Sequence, residues 1–128
     1  MEGSHSRLII GPFRVNTSLG CEDEEHHILQ EVEFTLTISF EHEPKSCESD
    51  LLSETVCYAS VCQAIQSVAS SRHFNLIEHL AKVCVTRLKS IVPNDATLTL
   101  IVHKLKPPVQ NLVGGAKFEM TMKNFCSK

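Results

Sequence analysis

The sequence predicts an α+β fold: two strands, two helices and two strands in the order ββααββ, building a four-stranded antiparallel sheet with both helices on one face. Three observations carry that expectation. The stretch "QEVEFTLTISFE" (30–41) alternates apolar and polar residues with period two, as does "ATLTLIVHK" (96–104). Between them lie two stretches whose apolar residues recur at spacings of three and four. Strands with one apolar face need a cover, and two amphipathic helices provide it.

The first strand is expected over Arg7 to Leu19, where "RLIIGPFRVNTSL" is rich in apolar and β-branched residues. Pro12 lacks an N–H to donate, which points to an edge position or a bulge. Gly20 opens a polar loop, "GCEDEEHHIL". In the second strand Val32, Phe34, Leu36, Ile38 and Phe40 share one face, against Glu31, Glu33, Thr35, Thr37 and Ser39 on the other. "EHEPKSCESD" reads as a charged loop.

The first helix is expected around Cys57 to Ser70, with Val61, Cys62, Ile65, Val68 and Ala69 forming its stripe. "SSRHF" reads as a short connection. The second helix is expected from about Leu76 to Ile91, with Leu76, Ile77, Leu80, Val83, Cys84, Leu88 and Ile91 on one side; Pro93, Asn94 and Asp95 stop it. In the third strand Ala96, Leu98, Leu100 and Val102 share a face, and Lys104 is next on that face. "LKPPVQNLVGG" is a loop, because paired prolines cannot donate to a ladder. "AKFEMTMKN" is the fourth strand, with Phe118, Met120 and Met122 alternating with polar residues. A sheet of this kind leaves two edges, and an open edge invites another chain, so a homo-oligomer is expected.

At 128 residues the chain suffices for a single domain, 1–128, and its 42% apolar content affords a core. Twelve basic against fifteen acidic residues give a net charge of −3, without the basic footprint of a nucleic-acid binder. No apolar run approaches a membrane span, and the N-terminus lacks a signal-peptide pattern. A cytoplasmic location is therefore expected, with a small molecule or another protein chain as partner. The cysteines at 21, 47, 57, 62, 84 and 126 form no C-x-x-C pair and are read as reduced, with Cys57, Cys62 and Cys84 packed in helices as small hydrophobes.

Seven histidines, including His26-His27, lack metal-ligand spacing and read as solvated. Gly114-Gly115 is no phosphate loop, and no nucleophile elbow occurs. Lys104 follows a buried face, where desolvation suits a lysine to proton transfer, although a snorkelling strand-end lysine looks the same. Tyr58, the one tyrosine, says nothing alone, and Glu25 sits in what reads as a solvated acidic run. Glu78 has two readings. With Asn75 as N-cap it resembles half of a capping box. Equally, a carboxylate favoured by the helix dipole can accept two parallel hydrogen bonds from an amidine-like edge.

Taken together, "LG" followed by "EDEEHHILQ", "TVCYASV", "FNLIEHLA" and "VHKLKPPV" closely resemble the dihydroneopterin aldolase family, in the right order and spacing from Arg7 to Met122. The resemblance implies the tunnelling fold, in which four ββααββ subunits close a barrel and two rings stack into a homo-octamer with sites between subunits. It implies that Glu78 anchors the pterin's aminopyrimidinone edge and that Leu76 and Ile77 line the pterin slot. It implies Lys104 as the acid/base lysine, Tyr58 as the tyrosine from a neighbouring subunit, Glu25 as the loop glutamate near substrate and Gln30 as a family glutamine.

The implied reaction is retro-aldol cleavage of 7,8-dihydroneopterin, a step in folate biosynthesis. The substrate's own N5–C6 imine takes up the electrons, so no cofactor, metal or lysine Schiff base is needed. Cys21 departs from the small aliphatic residue usual after the loop glycine, and Pro12 and Leu105 are also uncommon at their positions. "HKLK" leans toward the sister dihydroneopterin triphosphate 2′-epimerase and "PPV" toward the aldolase. That epimerase and a non-catalytic pterin-binding oligomer are the alternatives.

Overall fold

In the computed structural model, residues 5–123 are described. They form β1 (Ser6–Thr17), β2 (Gln30–Phe40), a one-turn helix α1 (Ser46–Ser49), α2 (Tyr58–Ser70), α3 (Ile77–Leu88), β3 (Thr97–Lys104) and β4 (Ala116–Lys123). The strands make one sheet in the order β1-β2-β3-β4, and every neighbouring pair is antiparallel. The ββααββ expectation holds. The additions are α1 and a 3-10 turn, Asp23–His26, inside stretches expected to be loops, and a second 3-10 turn, Leu52–Glu54, in the stretch before α2 that carried no expectation.

The alternation in β2 and β3 produces the core. Phe34 pairs with Val102, Leu36 with Leu100 and Ile38 with Leu98. All six are buried, together with Val61, Ala64, Ile65, Val68 and Ala69 of α2 and Leu80, Ala81, Cys84, Val85 and Leu88 of α3. Phe118, Met120 and Met122 of the edge strand β4 are only half-buried and pack against this cluster. Among the described residues no helix is long and apolar enough to cross a membrane.

Pro12 lies where the edge-strand reading places it, with a register break between Ile10 and Phe13 opposite β2. Gly11 has φ +126, and a Cβ there would sit 2.5 Å from the Phe34 carbonyl oxygen. Only glycine lets β1 come this close to β2 at the bulge.

Two features of the fold set up the site. The inward alternation of β3 continues past Val102 to Lys104, which pairs with the fully buried Val32. Beyond the end of β1, Leu19 forms an isolated parallel bridge with Phe74; Gly20 N–H donates to the Phe74 carbonyl at 2.9 Å and Phe74 N–H to that of Ser18 at 3.0 Å. This bridge holds the loop after β1 against the chain entering α3.

The bridge also corrects the expected helix start. Phe74 is completely buried, Asn75 forms a bend, and Leu76 (φ −131, ψ 143) is extended and occupies the N-cap position without a side-chain cap bond. Asn75 is therefore not the cap, and no capping box forms with Glu78. Leu76 is half exposed rather than part of the helix's buried stripe.

Cys57 likewise lies at the N-cap of α2 rather than inside it, and the Ser60 and Ala59 amides and the Ser60 side chain lower its thiol pKa. Cys84 is buried, and burial pushes its pKa up to about 12. Cys21, Cys47, Cys57, Cys62 and Cys84 are free thiols; Cys126 and the expected last residue of the fourth strand, Asn124, lie outside the described residues.

Candidate active site

The centre of the site is a contact between residues 79 positions apart. Lys104 Nζ donates to Glu25 Oε2 at 2.6 Å. Both side chains are largely out of solvent, at 12% and 7% exposure. Gln30 at the start of β2 donates its amide to the same Oε2 at 2.9 Å, and also to the Leu19 carbonyl. Glu22 N–H donates to the other oxygen, Oε1, at 3.1 Å.

Glu25 was expected in a solvated acidic run. It is instead buried, and the reason is visible in the loop. The 3-10 turn Asp23–His26 swings its side chain inward. Gly20 (φ +134) leaves the space: a Cβ there would lie 2.1 Å from the Glu25 carboxylate carbon. Burial opposes the charged form of Glu25. The bonds from Lys104, Gln30 and Glu22, with the charge of Lys104, outweigh it and hold the carboxyl pKa below its usual value. The Lys104 reading is also sharpened. This is no strand-end lysine reaching for water, since its ammonium has a carboxylate partner.

Glu25 and Lys104 lie on the wall of a cleft of ≈ 370 Å³, which Leu76, Ile77 and Glu78 also line. Pro107, Pro108 and Ala116 form part of the wall beside Lys104. Cys21 lines it too, its thiol 3.5 Å from the Asn75 carbonyl. Five of the six residues expected at a site thus meet in one cleft. Glu78 is exposed there at the second position of α3, where the helix dipole favours a negative charge. Tyr58, the sixth, begins α2, is 63% exposed and does not line the cleft.

Sequence reasoning did not single out His73. Its Nε2 donates to the Gly20 carbonyl at 2.8 Å, which leaves Nδ1 to accept from the Ser18 hydroxyl. Its ring also stacks on His26, with centroids 4.1 Å apart. His73 therefore fastens both sides of the glycine that makes room for Glu25. No motif spacing announces such a role, because the contact exists only once Leu19 and Phe74 are bridged. Among the described residues no group of three or more His, Cys, Asp or Glu side chains is arranged to hold a metal.

Comparison with known proteins follows the same outline. Residues 8–121 match the family model for dihydroneopterin aldolase. A probable dihydroneopterin aldolase of Chlamydia pneumoniae is 38% identical over 121 residues, covering 94% of this chain and 90% of that one. Its counterpart in Chlamydia trachomatis serovar D is 36% identical over 116 residues, covering 90% and 94%. Among solved structures, a Vibrio cholerae chain given the same enzyme name superposes with a TM-score of 0.81 at 22% identity, covering 94% of this chain and 98% of that one. The Escherichia coli dihydroneopterin aldolase, solved with neopterin, gives 0.76 at 20% identity, covering 90% and 98%. At such identities the two superpositions show the fold.

The depressed pKa of Glu25 fixes the sign of a pH effect. Its stabilising contribution is fully present above the unfolded-state carboxyl pKa of about 4.3 and is lost as pH falls through the lower folded value. Glu25→Gln strands a largely buried ammonium, so denaturant titration at neutral pH should show a loss of about 3 kcal/mol, the scale for breaking a buried pair. The gap between the two proteins should close in acid below the usual carboxyl range. A gap independent of pH would remove the ion pair from the account.

Proposed function

The chain belongs to the dihydroneopterin aldolase family, and on that premise we propose that it is a lyase cleaving the C1′–C2′ bond of 7,8-dihydroneopterin. The products are 6-hydroxymethyl-7,8-dihydropterin and glycolaldehyde. The observation that carries the reading is the meeting of Glu78, Glu25 and Lys104 in one cleft, with Lys104 Nζ 2.6 Å from Glu25.

Each group has work suited to its position. The exposed Glu78 carboxylate accepts two hydrogen bonds from the pterin's amino and ring N–H groups, with Leu76 and Ile77 against the ring. A neutral apolar wall and one charged acceptor fix the ring's orientation, as small-molecule sites require. That binding sets the dihydropterin's side chain toward Lys104.

Cleavage then needs a base for the 2′-hydroxyl proton and a route for the electrons. The electrons released as the C1′–C2′ bond breaks pass into the N5–C6 imine, and C2′ becomes the carbonyl of glycolaldehyde. The pterin fragment is left as an enol, and protonation at C1′ gives the product. The Lys104–Glu25 pair serves as the proton relay for the first step, directly or through a water; Tyr58 assists the final protonation. The substrate's own imine removes the need for a metal or for a Schiff base on Lys104. The E. coli relative holding neopterin, which carries the same trihydroxypropyl tail, supports this choice of ligand.

Tyr58 lies outside the cleft of its own chain, and β1 and β4 both present open edges. These features support sites completed between subunits and sheets joined edge to edge; four-membered rings, two of them stacked in an octamer, are what the family resemblance implies.

Pure protein with dihydroneopterin and EDTA should release glycolaldehyde, and Lys104→Ala should slow release by about 100- to 10,000-fold. Mixing that variant with Tyr58→Phe chains after dissociation should restore part of the activity, because some sites then receive both native groups. No release from the unaltered protein sinks the cleavage reading, and no restoration sinks the shared site. Separately, Glu78→Gln should weaken pterin binding by about 10- to 100-fold, the scale of a hydrogen bond to a charge. Thermal unfolding should barely move, since no cap bond is lost; a large stability loss with binding intact would return Glu78 to a structural role.

A further inference from the structure

The loop that delivers Glu25 is fixed at few points. Residues 21–29 are all exposed except Glu25 itself. The loop leaves the Leu19–Phe74 bridge through Gly20, whose backbone is the freest of any residue type and which sits at φ +134. The direction of the Gly20 carbonyl decides where Cys21 and Glu22 go. That direction matters to the site, because the Glu22 N–H is the donor on Glu25 Oε1. The bridge alone does not set it. Its two bonds use the Gly20 N–H and the Ser18 carbonyl and leave the Gly20 carbonyl over.

His73 takes that carbonyl. Its Nε2 donates to it at 2.8 Å, while Nδ1 is bonded to the Ser18 hydroxyl. The same ring stacks on His26, with 26° between the two planes. One imidazole thus grips the loop on both sides of Glu25, at Gly20 before it and at His26 directly after it. His73 is itself well anchored. It precedes the fully buried Phe74, over whose ring the Arg72 guanidinium lies at 4.9 Å, and Arg72 Nε donates to the His73 carbonyl at 3.0 Å. His73 is half-buried and does not line the cleft, so it acts on the reaction only through what it holds.

We propose that His73 is a positioning residue for the proton relay: by bonding the Gly20 carbonyl and stacking on His26 it holds the loop where the Glu25 carboxylate meets Lys104. This rests on the relay reading of Glu25 and Lys104 and adds the residue that aims it. Glycine is required at position 20 because the Glu25 carboxylate occupies the space of a side chain there. The backbone freedom that glycine brings would let the loop wander, and the histidine removes that freedom.

Turnover and pterin affinity, measured side by side, test this. His73→Phe keeps a ring for the stack and loses both nitrogen bonds. It should lower kcat for glycolaldehyde release by about 10- to 100-fold, the scale of a small misplacement near the chemistry, with the neopterin dissociation constant changed by no more than about twofold. His73→Gln sets an amide N–H near the place of Nε2 and should recover at least about a third of the unaltered rate. In a chain already carrying Glu25→Gln, His73→Phe should cost nothing further in kcat, because the group it aims is gone. An unchanged kcat in His73→Phe, no recovery with Gln, or the same fold-loss with and without Glu25 overturns the proposal. Where His73→Phe does not fold, the exposed change His26→Ala removes only the stack and should lower kcat about threefold or more, again only when Glu25 is present. A second measurement is independent of turnover. Glu25→Gln should lower the denaturation midpoint less in the His73→Phe chain than in the unaltered one, since a loosened loop has already weakened the ion pair. If the unaltered protein releases no glycolaldehyde, the relay reading falls, and this cycle alone decides whether His73 positions Glu25; equal losses overturn it.

Discussion

The ion pair between Glu25 and Lys104 is the interaction on which the site depends. Taking two charges out of water costs several kcal/mol per ion, and their attraction offsets this only when the remaining polar atoms are satisfied. Here they are: both oxygens of Glu25 are bonded, to Lys104 and Gln30 on one side and to the Glu22 amide on the other. No buried side-chain nitrogen or oxygen among the described residues lacks a partner. The surrounding fold reads as the set of conditions that make the pair possible. β3 carries Lys104 inward on the face of Leu98, Leu100 and Val102; Gly20 vacates the space for Glu25; the Leu19–Phe74 bridge and His73 hold Gly20 in place.

The same bridge ties chemistry to scaffold at the other end of the cleft. By holding Phe74 outside the helix it delays α3 until Ile77, so Glu78 emerges at the second helical position with no capping duty. One parallel bridge thus positions both carboxylates, one buried and paired beside Lys104, the other exposed and open to a ligand. Their environments differ as their proposed tasks differ. A carboxylate in a relay needs a fixed partner, and one that recognises a ring needs an approachable edge.

The strands and helices were legible because each rests on a repeat that a linear sequence displays. Val32 to Phe40 and Ala96 to Val102 alternate, Val61 to Ala69 recur at helical spacing, and Pro12 marks its own bulge. The residues themselves left Glu25 and Lys104 ambiguous, and it was the resemblance that singled them out. Burial of Glu25 was illegible because its main partner is remote: an acidic loop looks solvated until Lys104, 79 positions away, is brought to it, with Gly20 and Gln30 at the loop's two ends making room and adding a bond. The Asn75 cap failed for the same reason, since Phe74 is held by a contact with Ser18 and Gly20 that local spacing does not encode. Tyr58 was read through the resemblance alone, and one chain leaves it away from the cleft.

A double-mutant cycle on Glu25 and Lys104 tests the central claim most directly. The rate constant kcat/KM for dihydroneopterin cleavage would be measured for the unaltered protein, Glu25→Gln, Lys104→Met and the double variant. If the two side chains act as one relay, the double variant is no slower than the slower single, because the second substitution removes nothing that still works. Losses that multiply would contradict the account, showing that Glu25 and Lys104 serve the reaction independently despite their contact.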